Sequence, residues 1–149
     1  MGADPKVMEF MPNLLDAAQA DALADQLAAD LAERGWGAWA LEVPGIAEFG
    51  GFVGLRPTAV AGGGVEALWR LDTTLWGQGY ASEAAALALD FGFRELGLPE
   101  IIAFTATVNH RSQAVMRRLE MRAAGEFDHP ILAEGHWLRR HVLYRKTAA

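Results

Sequence analysis

Two β-biased runs, "VEALWRL" (65–71) and "IIAFTATV" (101–108), enclose the glycines Gly77 and Gly79 and the alanine-rich run that follows them at once. The order strand, glycine turn, helix, strand is the strongest constraint in the chain. A helix joining two strands must pack back onto the sheet they belong to. In helical projection Tyr80, Ala84, Leu87 and Phe91 share one face, while Leu89, Phe93 and Leu96 lie nearly opposite. Only Glu83, Asp90 and Arg94 form a solvated stripe, with Asp90 and Arg94 at pairing distance. Such a helix is expected to be sandwiched between the sheet and another element, and Gly97-Leu-Pro99 stops it.

The remaining elements follow from local signals. Asp16-Ala-Ala-Gln19 reads as a capping box, and leucines at 23, 27 and 31 continue an amphipathic helix that Gly35 ends. "WGAWALEV" (36–43) and "FGGFVGL" (49–55), separated by Pro44-Gly45, predict two antiparallel strands joined by a turn. Ala61-Gly-Gly-Gly64 breaks regular structure but is too short for a domain linker. Asn109-His-Arg-Ser112 opens a second short helix, and "AAGEF" (123–127) and "RHVLYRK" (140–146) read as strands around a Pro-containing loop. The sum is a mixed α/β sheet covered by helices, an order that several folds share.

Length and composition narrow the function. With 149 residues, 52% of them hydrophobic, residues 1–149 read as one domain with its own core. A net charge of −6 favours neither nucleic acid nor anionic lipid as partner, and no apolar run is long enough to span a bilayer. No cysteine is present, which removes disulfides, thiolate metal sites and a cysteine nucleophile, and a reducing cytoplasm fits. His129, His136 and His141 lack metal-ligand spacing, so no metal is expected. Eight of the thirteen basic residues fall from Arg111 onward, which predicts one positively biased edge.

A helix N-terminus presents unpaired backbone N–H groups and the positive end of its dipole, and glycine lets a phosphate come close to them. Gly77 and Gly79 therefore suit a pyrophosphate cradle, or else they only shape a tight strand-to-helix turn. A nucleotide-hydrolysing loop would need Lys-Ser/Thr after its last glycine, and Tyr80-Ala81 stands there. A dinucleotide fingerprint would need a third glycine or alanine where Ser82 stands, and the motif lies mid-chain without room for a doubly wound domain. An ATP-binding module is accordingly disfavoured.

Residues 69–121, "WRLDTTLWGQGYASEAAALALDFGFRELGLPEIIAFTATVNHRSQAVMRRLEM", resemble the core of the GNAT superfamily of N-acetyltransferases, most of all its RimJ/RimL-like branch of ribosomal-protein N-terminal acetyltransferases. The similarity extends through "FDHPILAEGHWLRRHVLYRK" (127–146) and more weakly to "ADPKVMEFMP" (3–12). It implies a GNAT-like acyl-CoA N-acyltransferase fold of α/β (α+β) class: a mixed, mostly antiparallel sheet flanked by helices, whose parallel strands 65–71 and 101–108 splay to admit acetyl-CoA. It also implies that backbone amides of Trp76, Gly77, Gln78, Gly79, Tyr80 and Ala81, with Ser82, hold the pyrophosphate. Leu71 and Thr73 would flank the acetyl and pantetheine portion, Asn109 the pantetheine arm and Ser112 the sulfur.

Three departures matter. The first turn position, often Arg or Gln in the superfamily, is Trp76; and Leu119-Glu120-Met121 replaces the usual Leu-Gly-Met or Leu-Gly-Phe, a strained turn if Glu120 takes positive φ. The family's first strand and helix are expected to be missing, which would leave a sheet edge open to dimerisation and the acceptor side incomplete.

Acetyl transfer needs a free amine, a polarised carbonyl and a proton donor for the leaving thiolate. The resemblance implies direct attack in a ternary complex. Ser112 is the candidate acid, or an ordinary polar residue of a first helical turn; Glu66 is a candidate base, or a solvent-facing or salt-bridged strand residue. Tyr144 is a candidate phenolic donor, or a core tyrosine; His129, His136 and His141 could each activate an amine, or be structural or surface residues, and the resemblance gives weight to His129 and His141. Trp36, Trp39, Trp69 and Trp76 read as core and pocket walls. The leading expectation is an acetyl-CoA-dependent N-acetyltransferase of a protein α-amine or small-molecule amine. The alternative is a truncated GNAT-like domain that binds CoA or a partner without turnover.

Overall fold

The computed structural model describes residues 1–149. After an N-terminal segment of turns, the chain runs α1 (Ala17–Arg34), β1 (Ala38–Val43), β2 (Ala47–Thr58), β3 (Gly64–Leu71), α2 (Tyr80–Arg94), β4 (Glu100–Ala106), α3 (His110–Arg118), β5 (Arg122–Asp128) and β6 (Arg140–Thr147). Single 3₁₀ turns at Val60–Gly62 and Thr73–Leu75 bracket β3. All nine expected elements form, with ends shifted by one to three residues, most at β2.

The strands make one six-stranded sheet in the order β1-β2-β3-β4-β6-β5. Every neighbouring pair is antiparallel except β3 and β4. That parallel pair shares a single register position, Glu66 with Ile102, so no ladder joins the strands as they run on to Leu71 and Ala106. The splay that the resemblance implies is present, and it opens a gap in the middle of the sheet.

The core lies between the sheet and α2. Val53, Leu55, Ala67, Leu71, Ile101, Ala103 and Tyr144 reach it from the strands, meeting Ala85, Ala88 and Leu89 of α2. Gly92 explains how close the helix comes: a Cβ there would meet Ile101 Cδ1 at 2.6 Å and Leu55 Cδ1 at 2.9 Å. Small residues thus set the most buried stripe, and on either side of it Tyr80, Ala84 and Phe91, and Phe93 and Leu96, pack against the core as expected, with Leu87 the one exception. Leu87 is 68% exposed, because the stripe that touches β2 and β3 is Ala85, Ala88, Leu89 and Gly92. The solvated stripe is as expected, with Arg94 Nε bonded to Asp90 at 2.7 Å.

Asp16 and Gln19 form the predicted capping box, yet no residue of α1 is buried; its leucines are half-buried against the sheet's β1 side. Glu120 takes φ +59, the left-handed conformation that its position after α3 demands. Its backbone N–H reaches Arg117 O at 2.9 Å and Met121 N reaches Met116 O at 3.0 Å, so the turn keeps its hydrogen bonds despite the strain of a side chain there.

Candidate active site

A cleft of about 560 Å³ opens where β3 and β4 part, within the size range of small-molecule sites. One wall is the turn between β3 and α2. Gly77 and Gly79 take φ +72 and +86, and no heavy atom lies within 4 Å of where a Cβ would sit on either. The first backbone hydrogen bond into α2 runs from Glu83 N to Gly79 O at 3.0 Å, and Gly79 brings no side-chain cap. The N–H groups of Tyr80, Ala81 and Ser82 are therefore free at the positive end of the helix dipole. The hydroxyl of Ser82 is buried in the same wall with no hydrogen-bond partner.

Trp76 fixes this turn from the side. Its Nε1 donates to Leu71 O at 3.0 Å, while its ring lies 4.3 Å from the Arg111 guanidinium and 5.7 Å from Lys6 Nζ. Leu71, Trp76, Gly77, Gly79, Tyr80, Ala81 and Ser82 all line the cleft. Thr73 and Gln78 do not: Thr73 lies in the 3₁₀ turn and Gln78 folds back to donate to Thr74 O at 2.9 Å.

The opposite wall is α3. Asn109 caps it, accepting from Ser112 N at 3.2 Å and donating to Thr105 Oγ1 at 3.0 Å, which ties the helix start to the end of β4. Ser112 follows in the first turn, and Trp69 Nε1 donates to its Oγ at 3.1 Å. Asn109 and Ser112 both line the cleft.

Glu66 and Tyr144 lie outside the cleft lining. Glu66 is 3% exposed and bound by the Arg56 guanidinium; burial raises its carboxyl pKa, and the charge and hydrogen bonding of Arg56 oppose that rise. It is salt-bridged but not solvent-facing. Tyr144 is buried, and its hydroxyl accepts from Arg117 Nη1 at 3.2 Å. The rings of His129 and His141 pack tilted at 4.8 Å beside Phe104 and Phe127, and burial lowers the pKa of both.

Sequence reasoning missed a third wall. Leu15 N bonds Gly2 O at 2.8 Å, closing the N-terminal segment into a loop that carries Val7, Phe10 and Met11 to the cleft. It also missed Arg70 and Arg118 as lining residues, although for Arg118 the basic bias from Arg111 onward was a partial signal. The three charged residues that line the cleft are Arg70, Arg111 and Arg118, and no carboxylate joins them. An acidic chain thus builds a cationic cleft. No group of acidic, histidine or cysteine side chains is arranged to hold a metal ion.

The family model for the acetyltransferase (GNAT) domain matches residues 1–122. The chain is 48% identical over 48 residues to the FsC-acetyl coenzyme A-N(2)-transacetylase of Aspergillus fumigatus, a match covering 32% of this chain and 20% of that protein. It is 38% identical over 69 residues to the uncharacterized N-acetyltransferase YnaD of Bacillus subtilis, covering 46% of this chain and 41% of that one. The matched segments thus span less than half the length of either relative. Among solved structures, a GNAT-family acetyltransferase from Bacillus anthracis superposes with a TM-score of 0.80 at 23% identity, over 98% of this chain and 84% of that one. Mycobacterium smegmatis RimJ in complex with CoA-disulfide superposes with a TM-score of 0.70 at 26% identity, over 99% of this chain and 67% of that one.

Proposed function

The chain belongs to the GNAT acetyltransferase family, and on that premise we propose that residues 1–149 form one domain that transfers an acetyl group from acetyl-CoA to a primary amine. The observation that carries the reading is the buried, unpartnered Ser82 hydroxyl beside the free amides of Tyr80, Ala81 and Ser82. A buried polar group without a partner is costly, and a pyrophosphate oxygen would satisfy it and the amides together.

Acetyl-CoA supplies an activated thioester; the protein supplies its placement. The amides of residues 79–82 and Arg118 take the phosphate charge. Leu71 and Asn109 border the arm, on either side of the gap between β3 and β4. Ser112 has a proton to give: an indole N–H only donates, so its Oγ accepts from Trp69 and the hydroxyl proton is left for another acceptor, here the departing sulfur. Glu66 and Tyr144, held by Arg56 and Arg117, act on the reaction only through the sheet that carries them.

We retain the RimJ/RimL-like branch as a proposal supported by the likeness to M. smegmatis RimJ. Isothermal titration with acetyl-CoA tests the donor half of this reading, and thiol release with a panel of amines tests the transfer. Absence of saturable heat at millimolar cofactor would end it.

A further inference from the structure

Arg70 stands apart from the other two arginines of the cleft. Arg111 lies against the Trp76 ring and bonds Glu9 Oε2 at 2.7 Å, and Arg118 lies at the end of α3 near Ser82. Both flank the first turn of α2. Arg70 lies between Trp69 and Leu71, whose side chains join the core beneath α2, so strand alternation turns it to the other face of the sheet. There its guanidinium lies 5.2 Å from the Phe52 ring, and Nη2 meets only Met11 Sδ, at 3.4 Å.

Its charge has no carboxylate counter-ion. Arg70 Nε is buried without a hydrogen-bond partner, and no carboxylate forms an ion pair with the group. The nearest acid on its strand and face, Glu66, is occupied by Arg56. Burial and the Arg56 charge both lower the pKa of Arg70. A cation kept in a half-buried wall of a cleft, with a neighbouring cation and no counter-ion, is unfavourable in the empty protein and becomes favourable when an anion arrives.

We infer that Arg70 binds a carboxylate of the acceptor, so that the amine acetylated here belongs to a molecule bearing a carboxylate a few bonds from its nitrogen. This rests on the acetyltransferase reading above. In the transfer the amine nitrogen bonds to the acetyl carbon, the carbon–sulfur bond breaks, and the amine's proton ends on the thiol of CoA. The same charge disfavours polyamines, for which the cleft holds no acidic side chain. The carboxylate can come from a free amino acid or from an acidic side chain near a peptide N-terminus; the chemistry read by Arg70 is shared.

The test compares thiol release with free amino acids, the corresponding amino-acid amides, tripeptides with a glutamate at the second position and a blocked C-terminus, and spermidine. Amidation removes the carboxylate and leaves more of the amine unprotonated at neutral pH, so intrinsic reactivity runs against the expected result. In the native protein, kcat/KM is expected to favour a carboxylate-bearing amine over its amide by roughly tenfold to a hundredfold, the range of one charge-assisted hydrogen bond. Arg70→Met should collapse that ratio toward one and Arg70→Lys restore part of it, with acetyl-CoA affinity by titration unchanged in both, which also reports that the variants fold. The arm whose turnover depends on Arg70 identifies the source of the carboxylate. Three outcomes overturn the inference: amides or spermidine serving as well as the acids, Arg70→Met lowering acids and amides alike, or acetyl-CoA binding with no carboxylate-bearing amine acetylated. Failure to bind acetyl-CoA is a different result, and it removes the underlying reading instead.

Discussion

The indole N–H of Trp69 donates to the hydroxyl of Ser112 at 3.1 Å, joining the end of β3 to the first turn of α3 across the gap where the parallel strands part. Ser112→Ala removes the proton offered to sulfur and leaves the Trp69 donor unpaired. We expect kcat to fall about a hundredfold, with the KM for acetyl-CoA changed less than about threefold and stability lowered by about 1 kcal/mol. Trp69→Phe keeps the hydroxyl and should lower kcat far less. Equal losses in the two variants would reduce Ser112 to a strut.

Gly79 and Gly45 separate strain from binding. Both take positive φ, +86 and +76, and neither would place a Cβ within 4 Å of another atom. Valine at either position should cost about 1–2 kcal/mol of stability, since the left-handed conformation crowds Cβ. Only Gly79→Val should weaken acetyl-CoA, by at least roughly tenfold if its side chain displaces one charge-assisted contact. Thermal melts and titration on both variants check this, and equal affinities would remove the turn from the cofactor site.

Asn109→Ala deletes both the cap on α3 and the link to Thr105. A loss of about 1 kcal/mol in urea denaturation is expected, whereas Asn109→Asp retains a capping oxygen and should stay within a few tenths. If alanine costs nothing, the cap is not what holds the start of α3.

His129 and His141 predict how stability responds to mild acid. Burial lowers both from 6.5, and each lies near the charge of the other when protonated. His129 Nδ1 accepts from Ile131 N at 3.2 Å, so its neutral form carries the proton on Nε2. With folded values below the unfolded one, the unfolded chain binds more protons as pH falls past 6.5. The contribution is therefore present above that pH and lost as pH drops toward the folded values. Melting temperatures between about pH 7.5 and 5 should fall less steeply when both residues are Phe. Glu66, raised from 4.5, works in the opposite sense as pH rises above that value, so the comparison is between native protein and variant at each pH. An unchanged slope would mean that the pair titrates freely.

The β3–α2 turn and the start of α3 were legible because their signals are local. Glycines before a helix, Asn109 three residues before Ser112, and a strand ending at Leu71 are each written within a few residues. The wall that carries Arg70 is assembled from distant parts. Arg70 meets Met11 across 59 positions of chain, and Arg111 meets Glu9 across 102, so no window of sequence contains either contact. Glu66 was read as a strand residue with two fates, and only the register with Arg56 decides that it is buried and paired. Of the apolar positions read on α2 only Leu87 was misplaced, for a packing reason: Gly92 and three neighbours of small or moderate size let the helix settle on Leu55 and Ile101, which turns Leu87 outward.

α1 buries none of its residues, whereas β3, β4 and α2 supply much of the core. Amide hydrogens of α1 should therefore exchange through local openings well below the free energy of global unfolding, while those of β4 wait for the whole sheet. The loop bearing Val7, Phe10 and Met11 is covalently continuous with α1 and closed by the Leu15–Gly2 hydrogen bond. Its fluctuations and those of the helix are expected to form one cooperative unit, so the wall beside Arg70 opens on a faster clock than the floor formed by β3, β4 and α2.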